Sequence, residues 1–265
     1  MIEGENLKIA FFDSGIGGLS VLHHAMKILP NEEFIFFADE DNVPYGTKTR
    51  EQVLGYVEDA FKFLVSQNVG AIVVACNTAT SAAVRAMRAK YSLPIVGMEP
   101  AIKVALDLYP NQKFLVTATE ITIKGEKLFA LIDRLNAREF AELKSLSPLV
   151  EFAERMEFNS EAVENYLRGE FSPYNFKNFS SVVLGCTHFN YFKDTMKKIL
   201  PPHIKFLDGN AGTLNYLIKL ANLNSEPAKK IPPVEYFYSG RRVTSEKELA
   251  RLEKYLRRLD DMYLI

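Results

Sequence analysis

At 265 residues the chain can form one large α/β domain or two smaller ones, since domains usually run to roughly 100–150 residues. It is 48% apolar and 25% charged with a net charge of −1. That supplies a core and a solvated surface but no basic block to coat nucleic acid. No apolar run reaches the roughly 18–20 residues that span a bilayer. Residues 1–5 lack the positive start and apolar stretch of a signal peptide, so the expectation is a cytoplasmic protein with no membrane or nucleic-acid partner.

Residues 8–12 read as a short apolar strand, followed by Asp13-Ser14-Gly15-Ile16-Gly17-Gly18 and a helix over 19–29 with apolar positions at helical spacing. Strand, glycine-rich turn and helix form the entry to many nucleotide sites. However, the glycines miss the dinucleotide spacing and no P-loop lysine follows. Asp13 would repel a phosphate and suits proton chemistry or an ammonium group, or else it caps the helix. A second strand is predicted over 33–38, and a loop over 39–49 carries the turn signal Val43-Pro44-Tyr45-Gly46. A helix over 49–67 leads to the apolar run Ile72-Val73-Val74-Ala75, then Cys76-Asn77-Thr78, a helix over 80–90 and a strand over 94–97.

Glu99-Pro100 reads as a hinge into a second unit: helix 101–108, strand 113–116, the turn Thr117-Ala118-Thr119 and a helix over 123–135. Residues 143–157 give no clear period. A helix over 160–168 precedes Val182-Val183-Leu184-Gly185-Cys186-Thr187-His188, and then come a helix over 190–200 and a strand over 204–207. The remainder reads as helix 212–220, strand 234–238 and helix 245–259. Alternation of this kind implies parallel sheets with helices on both faces.

The two cysteines are the only ones in the chain, and they lie 110 positions apart, each after an apolar run at the carboxyl end of a predicted strand. Asp13 precedes Cys76 by 63 residues and Thr119 precedes Cys186 by 67. The expectation is two similar α/β halves, each contributing one thiol to a shared cleft. A reducing compartment argues against a disulfide, and two Cys with one nearby His fall short of a four-ligand zinc site. No metal is therefore expected. One thiol as base and one as acid, on opposite faces of a carbon, would racemise it without a cofactor. The bland alternative is two buried packing residues. Asn77, Thr78 and Thr187 offer donors and acceptors for an amino acid, and amides at the helix starts after each cysteine would favour thiolate. Asp13 and His188 are candidate proton relays, whereas His23, His24 and His203 fall on predicted surface or loop positions. A cysteine hydrolase using Cys186 and His188 is a weaker reading, because two residues along a strand end is poor geometry for activation and Cys76 would be idle. A non-catalytic amino-acid binding protein has no need of paired thiols.

The motifs Phe12-Asp13-Ser14-Gly15-Ile16-Gly17-Gly18, Pro44-Tyr45-Gly46, Ala75-Cys76-Asn77-Thr78 and Gly185-Cys186-Thr187-His188 occur together in this order. In this the chain resembles the glutamate racemases of the aspartate/glutamate racemase family. The resemblance implies two α/β domains, 1–97 plus 208–265 and 98–207, with the active site between them. It implies a cofactor-independent isomerase that interconverts L- and D-glutamate and supplies D-glutamate for peptidoglycan, hence for cell-wall synthesis and cell shape. Family members are often dimers, so a homodimer is expected. By the same likeness Cys76 is the base for the D-enantiomer and Cys186 for the L-enantiomer. Asp13 would assist Cys76, with Glu151 and His188 on the Cys186 side. Ser14, Pro44, Tyr45, Gly46, Asn77, Thr78, Thr119 and Thr187 would contact substrate, together with Asp13 and His188. Phe189-Asn190-Tyr191 departs from the family's usual Tyr-Pro-Leu, which predicts an altered cleft rim.

Overall fold

The computed structural model describes residues 7–228 and 230–265; residues 1–5, read above for a leader, lie outside that range. Among the described residues ten strands form two sheets. β1 (Ile9–Asp13), β2 (Phe34–Ala38), β3 (Ala71–Val74) and β4 (Ile95–Gly97) belong to the first sheet. β5 (Lys113–Ala118), β6 (Ala141–Ser145), β7 (Phe179–Leu184) and β8 (Lys205–Asp208) make up the second. The chain then returns through the helix Asn210–Ala221 to add β9 (Val234–Tyr238) and β10 (Arg241–Arg242) to the first. The strand orders are β10-β9-β2-β1-β3-β4 and β6-β5-β7-β8. Among the described residues only the β9–β10 pairing is antiparallel. This is the α/β architecture of two parallel-sheet units expected from the alternating elements.

The order β2-β1-β3-β4 matches β6-β5-β7-β8 strand for strand. The spacings of 63 and 67 residues thus run from β1 to the end of β3 and from β5 to the end of β7. In each sheet the chain leaves the first strand to one side and comes back on the other. Such a reversal opens a crevice beyond the strands' carboxyl ends, where α/β sheets bind ligands.

β1, β2 and β3 are buried along their whole length, as strands covered on both faces must be. Side chains alternate between faces. Ile9 and Phe11 join one core while Ala10 and Phe12 join another with Val57, Phe61 and Leu64 of the helix Arg50–Ser66. In the second sheet Leu115 and Leu184 face the first of these cores, and Phe114, Val116 and Val183 face a third. One apolar core therefore takes in residues of both sheets.

Several predicted elements differ. β6, Ala-Glu-Leu-Lys-Ser, is half-buried throughout at a sheet edge, so it lacks the apolar run that marks a covered strand. The helix read over 123–135 is two, Glu120–Ile123 and Glu126–Arg134, separated at Gly125. The helix read from 80 begins at Asn77, directly after Cys76. After Cys186 a 3-10 turn, Thr187–Phe192, precedes the α-helix Lys193–Ile199. Among the described residues no helix is long and apolar enough to cross a membrane.

Candidate active site

The two thiols open on one cavity. It is narrow and is lined by Ser14, Pro44, Tyr45, Gly46, Cys76, Asn77, Thr78 and Thr119, and across from these by Val150, Gly185, Cys186, Thr187 and His188. Every residue that the sequence assigned to substrate contact lines it, apart from Asp13, which is fully buried behind it. Both cysteines are free and buried.

On the first side, the Asp13 carboxylate ends β1 and accepts the Gly15 N–H (3.2 Å), the Ser14 hydroxyl (3.3 Å) and, from the opposite unit, the Thr187 hydroxyl (3.0 Å). Ser14 Oγ lies 3.6 Å from Cys76 Sγ, so Asp13 reaches that thiol through Ser14. Burial pushes the Asp13 carboxyl up to about 6, against the opposing pull of His188, Gly15 and Thr187. Cys76 Sγ accepts the Ala79 N–H at the start of its helix (3.4 Å). The expectation that this helix start favours thiolate is outweighed. Burial, with Asp13's charge added, pushes the Cys76 thiol up to about 12 despite the hydrogen bonds from Ala79 and Ser14. Its surroundings thus favour the thiol over the thiolate.

On the second side, the 3-10 turn folds His188 back beneath Cys186, placing Nδ1 3.8 Å from Sγ. The pair that the sequence read as poorly placed for nucleophile activation is thus brought into contact, as a proton relay at Cys186 requires. His188 is 2% exposed. Its burial opposes the imidazolium, but hydrogen bonds to Cys186 and Glu154 and their charges prevail, and its pKa stands well above the ordinary value. The carboxylate behind it is Glu154, whose Oε1 accepts from His188 Nε2 (2.7 Å) and from the Ile16 N–H (3.0 Å).

Glu151 is not at the site. Its side chain is 63% exposed and faces Arg155 at 3.7 Å, whereas Glu154 is 14% exposed. The helix Pro148–Glu154 explains the difference. Val150 lines the cavity, and Glu154, four residues on, shares its face, while Glu151 is turned about 100° away. Phasing that helix on its buried residues Leu149, Val150 and Ala153 would have found it.

The glycine-rich turn makes room for these groups rather than cradling a phosphate. A Cβ at Gly15 would collide with Glu154, one at Gly17 with His188 and Thr187, and one at Gly18 with Asp13. Phe189 and Tyr191, expected at the rim, are fully buried, and Tyr191 donates its hydroxyl to Ile16 O (3.0 Å). They support the turn from beneath because an aromatic pair here fills the layer between the sheets. His23, expected on the surface, is also buried, and bonds Asp260 at 2.8 Å across a helix contact.

Further hydrogen bonds join the two walls. Thr78 Oγ1 lies 3.1 Å from Thr119 Oγ1 and 3.3 Å from Thr122 Oγ1. The Pro44–Gly46 loop is held by Asp39, which accepts the Tyr45 hydroxyl at 2.6 Å and the Ser239 hydroxyl at 2.8 Å. Asp39 carries no sequence motif, and only its buried position reveals it. Asn77 Oδ1 is buried with no hydrogen-bond partner. A buried acceptor left unpaired costs roughly 1–3 kcal/mol, and Asn77 sits in the cavity lining, so the site is built to receive a donor. Among the described residues no group of three or more His, Cys, Asp or Glu is arranged to hold a metal ion.

Comparison with known proteins agrees with this geometry. The family model described as "Asp/Glu/Hydantoin racemase" matches residues 20–217. The chain belongs to this racemase family. It is 49% identical over 263 residues to a glutamate racemase of Campylobacter curvus, covering 97% of this chain and 98% of that one. Its fold superposes on the Escherichia coli glutamate racemase bound to L-glutamate and the activator UDP-MurNAc-Ala with a TM-score of 0.80, at 28% identity over 96% of each chain. The Francisella tularensis glutamate racemase bound to D-glutamate gives 0.78 at 29% identity, over 95% of this chain and 94% of that one.

Proposed function

We propose that the protein interconverts L- and D-glutamate by moving the Cα proton between two thiols, with no cofactor, and that it supplies D-glutamate for peptidoglycan in the cytoplasm. The observation that carries this reading is the pair of thiols at equivalent strand ends, opening on one cavity, each with its own proton partner. Glutamate as the substrate rests on the relatives' names and the bound ligands of two similar structures. Cys186 takes the proton from the L-enantiomer while Cys76 delivers one to the opposite face, and the roles exchange in reverse. Substrate ammonium entering near Asn77 Oδ1 adds a positive charge beside Cys76, which lowers the cost of forming its thiolate. Asp13, through Ser14, gives that thiol a proton partner. His188, backed by Glu154 rather than Glu151, does the same for Cys186. Hydroxyls of Thr78, Thr119 and Thr187 and the Pro44–Gly46 loop hold the carboxylates as charge develops at Cα. The division into domains 1–97 plus 208–265 and 98–207 fits this reading, with the thiols on opposite sides of the interdomain cleft, as does a homodimer.

Cys76→Ala and Cys186→Ala variants test the assignment by circular dichroism of each enantiomer. Each abolishes interconversion in both directions, and full turnover in either folded variant refutes the two-thiol mechanism. Cys186, His188 and Glu154 also form a nucleophile–base–orienter series, which favours a second reading as a cysteine hydrolase. That reading predicts a covalent acyl-enzyme with ester substrates and leaves Cys76 dispensable.

A further inference from the structure

The carboxylate behind His188 uses one oxygen for the imidazole and the Ile16 N–H. Its other oxygen, Glu154 Oε2, is buried without a hydrogen-bond partner, and so is Oε1 of Glu40, two residues past β2. One cation serves both orphans. Arg251 Nη2 lies 3.8 Å from Glu154 Oε2, and Nη1 lies 3.8 Å from Glu40 Oε1.

Arg251 projects from the C-terminal helix Glu246–Tyr263 and is fixed from several directions. Nη2 donates to the main-chain oxygen of Glu154 at 3.0 Å, and the guanidinium lies 5.5 Å from the centre of the Tyr255 ring. The Tyr255 hydroxyl donates to the main-chain oxygens of Ala153 and Glu154, both at 3.0 Å. The arginine therefore grips the end of the helix that carries Glu154 as well as its side chain. The other titratable groups facing the cluster are Glu248, Tyr238 and Tyr255, with His188 beyond Glu154. Burial, and then the charge of Glu154, push the Glu40 carboxyl up to about 7 while Arg251 pulls it down. Two carboxylates in one partly dry place repel unless a cation is shared between them.

We propose that Arg251 is a positioning residue for proton transfer on the Cys186 side: it holds Glu154 where it grips His188, and Glu40 tunes that hold by competing for the same guanidinium. The proposal rests on the reading of Cys186 and His188 as a proton-transfer pair. It links the C-terminal helix to the thiol of the opposite unit.

Two consequences have fixed signs. Without Arg251 the Glu154 charge is uncompensated, so the His188 imidazolium is favoured and its pKa rises. Without the Glu40 charge Arg251 belongs to Glu154 alone, so the His188 pKa falls. Histidine-labelled protein followed by NMR reads both shifts without any turnover, in Arg251→Gln, Arg251→Lys and Glu40→Gln.

Kinetics supply the second readout. The two enantiomers have equal free energy, so kcat/KM must remain equal in the two directions for every variant. A defect confined to Cys186 therefore appears in the isotope effect. With Cα-deuterated L-glutamate the effect grows in Arg251→Gln, whereas with Cα-deuterated D-glutamate it does not. Turnover falls ~10-fold, within what a sub-ångström misplacement of a catalytic group brings. Arg251→Lys, which keeps the charge and loses the fork, restores most of it. Wild-type turnover, isotope effects and His188 titration in Arg251→Gln overturn the proposal. A general loss of activity with both isotope effects unchanged and no His188 shift also overturns it, as a merely structural role. If wild-type protein racemises no glutamate, the catalytic reading fails instead, and the His188 titrations alone decide whether Arg251 and Glu40 act on that imidazole.

Discussion

Gly17→Ala is the sharpest perturbation of the site that replaces no acid or base. The new Cβ would fall 2.7 Å from His188 Cε1 and closer still to His188 Nδ1 and Thr187 Oγ1. Carbon atoms pack at about 3.5–4.0 Å, so the imidazole must retreat by about 1 Å. It has no free direction: Glu154 holds it at 2.7 Å on one side and Cys186 lies at 3.8 Å on the other. Overpacking of this kind costs about 1–3 kcal/mol of stability. An ångström of misplacement in a catalytic group costs about 10²-fold in rate. Gly55, in the helix Arg50–Ser66, is the control, because a Cβ there meets nothing within 4 Å. Gly55→Ala gains about 0.5–1 kcal/mol from helix propensity and leaves turnover unchanged. Urea unfolding and racemisation by circular dichroism measure both variants. Wild-type turnover and stability in Gly17→Ala would refute the idea that the glycine turn exists to seat His188 and Thr187.

Glu154→Gln should lower turnover by roughly 10–100-fold, the equivalent of one hydrogen bond to a charged group, while Glu151→Gln stays within about twofold because an exposed ion pair contributes little. Equal losses in the two would return the catalytic carboxylate to Glu151. Asp13 gives a pH signature, since its carboxyl stands at about 6 in the folded protein against 3.8 when free. The folded state holds a proton that the unfolded chain has already released, so the contribution of this group to stability falls as pH rises between those values and stays reduced above them. The difference in unfolding free energy between wild type and Asp13→Asn should move against wild type by about 2 kcal/mol between pH 4 and 7.5. A difference independent of pH would contradict the burial argument.

The centre of the first sheet was legible because β1, β2 and β3 are covered on both faces and read as unbroken apolar runs, whereas the exposed Arg241–Arg242 of β10 gave no strand signal. β6 was not, because a half-buried edge strand carrying Glu142 and Lys144 has no such run. The repeat linking the Asp13–Cys76 and Thr119–Cys186 units was visible as spacing, and the matching strand orders explain why. Proton partners were harder to read. Family likeness led to Glu151, yet the phase of one short helix makes Glu154 the partner of His188. The 3-10 turn that brings His188 under Cys186 follows from how Phe189, Tyr191 and Phe192 pack, which no local pattern reports. Nor does a strand-then-helix motif reveal how deeply Cys76 is buried, and burial outweighs the helix start in setting its protonation.

The central claim is that one proton leaves Cα to a thiol and another arrives from the opposite side. Its most direct test is incubation with L-glutamate in deuterated water, following optical rotation and Cα deuterium by NMR. The account predicts decay of rotation to zero with solvent deuterium at Cα of the D-glutamate formed, and neither change in Cys76→Ala or Cys186→Ala. Loss of rotation with the original proton retained in D-glutamate, or a stable rotation with folded wild-type protein, would contradict it.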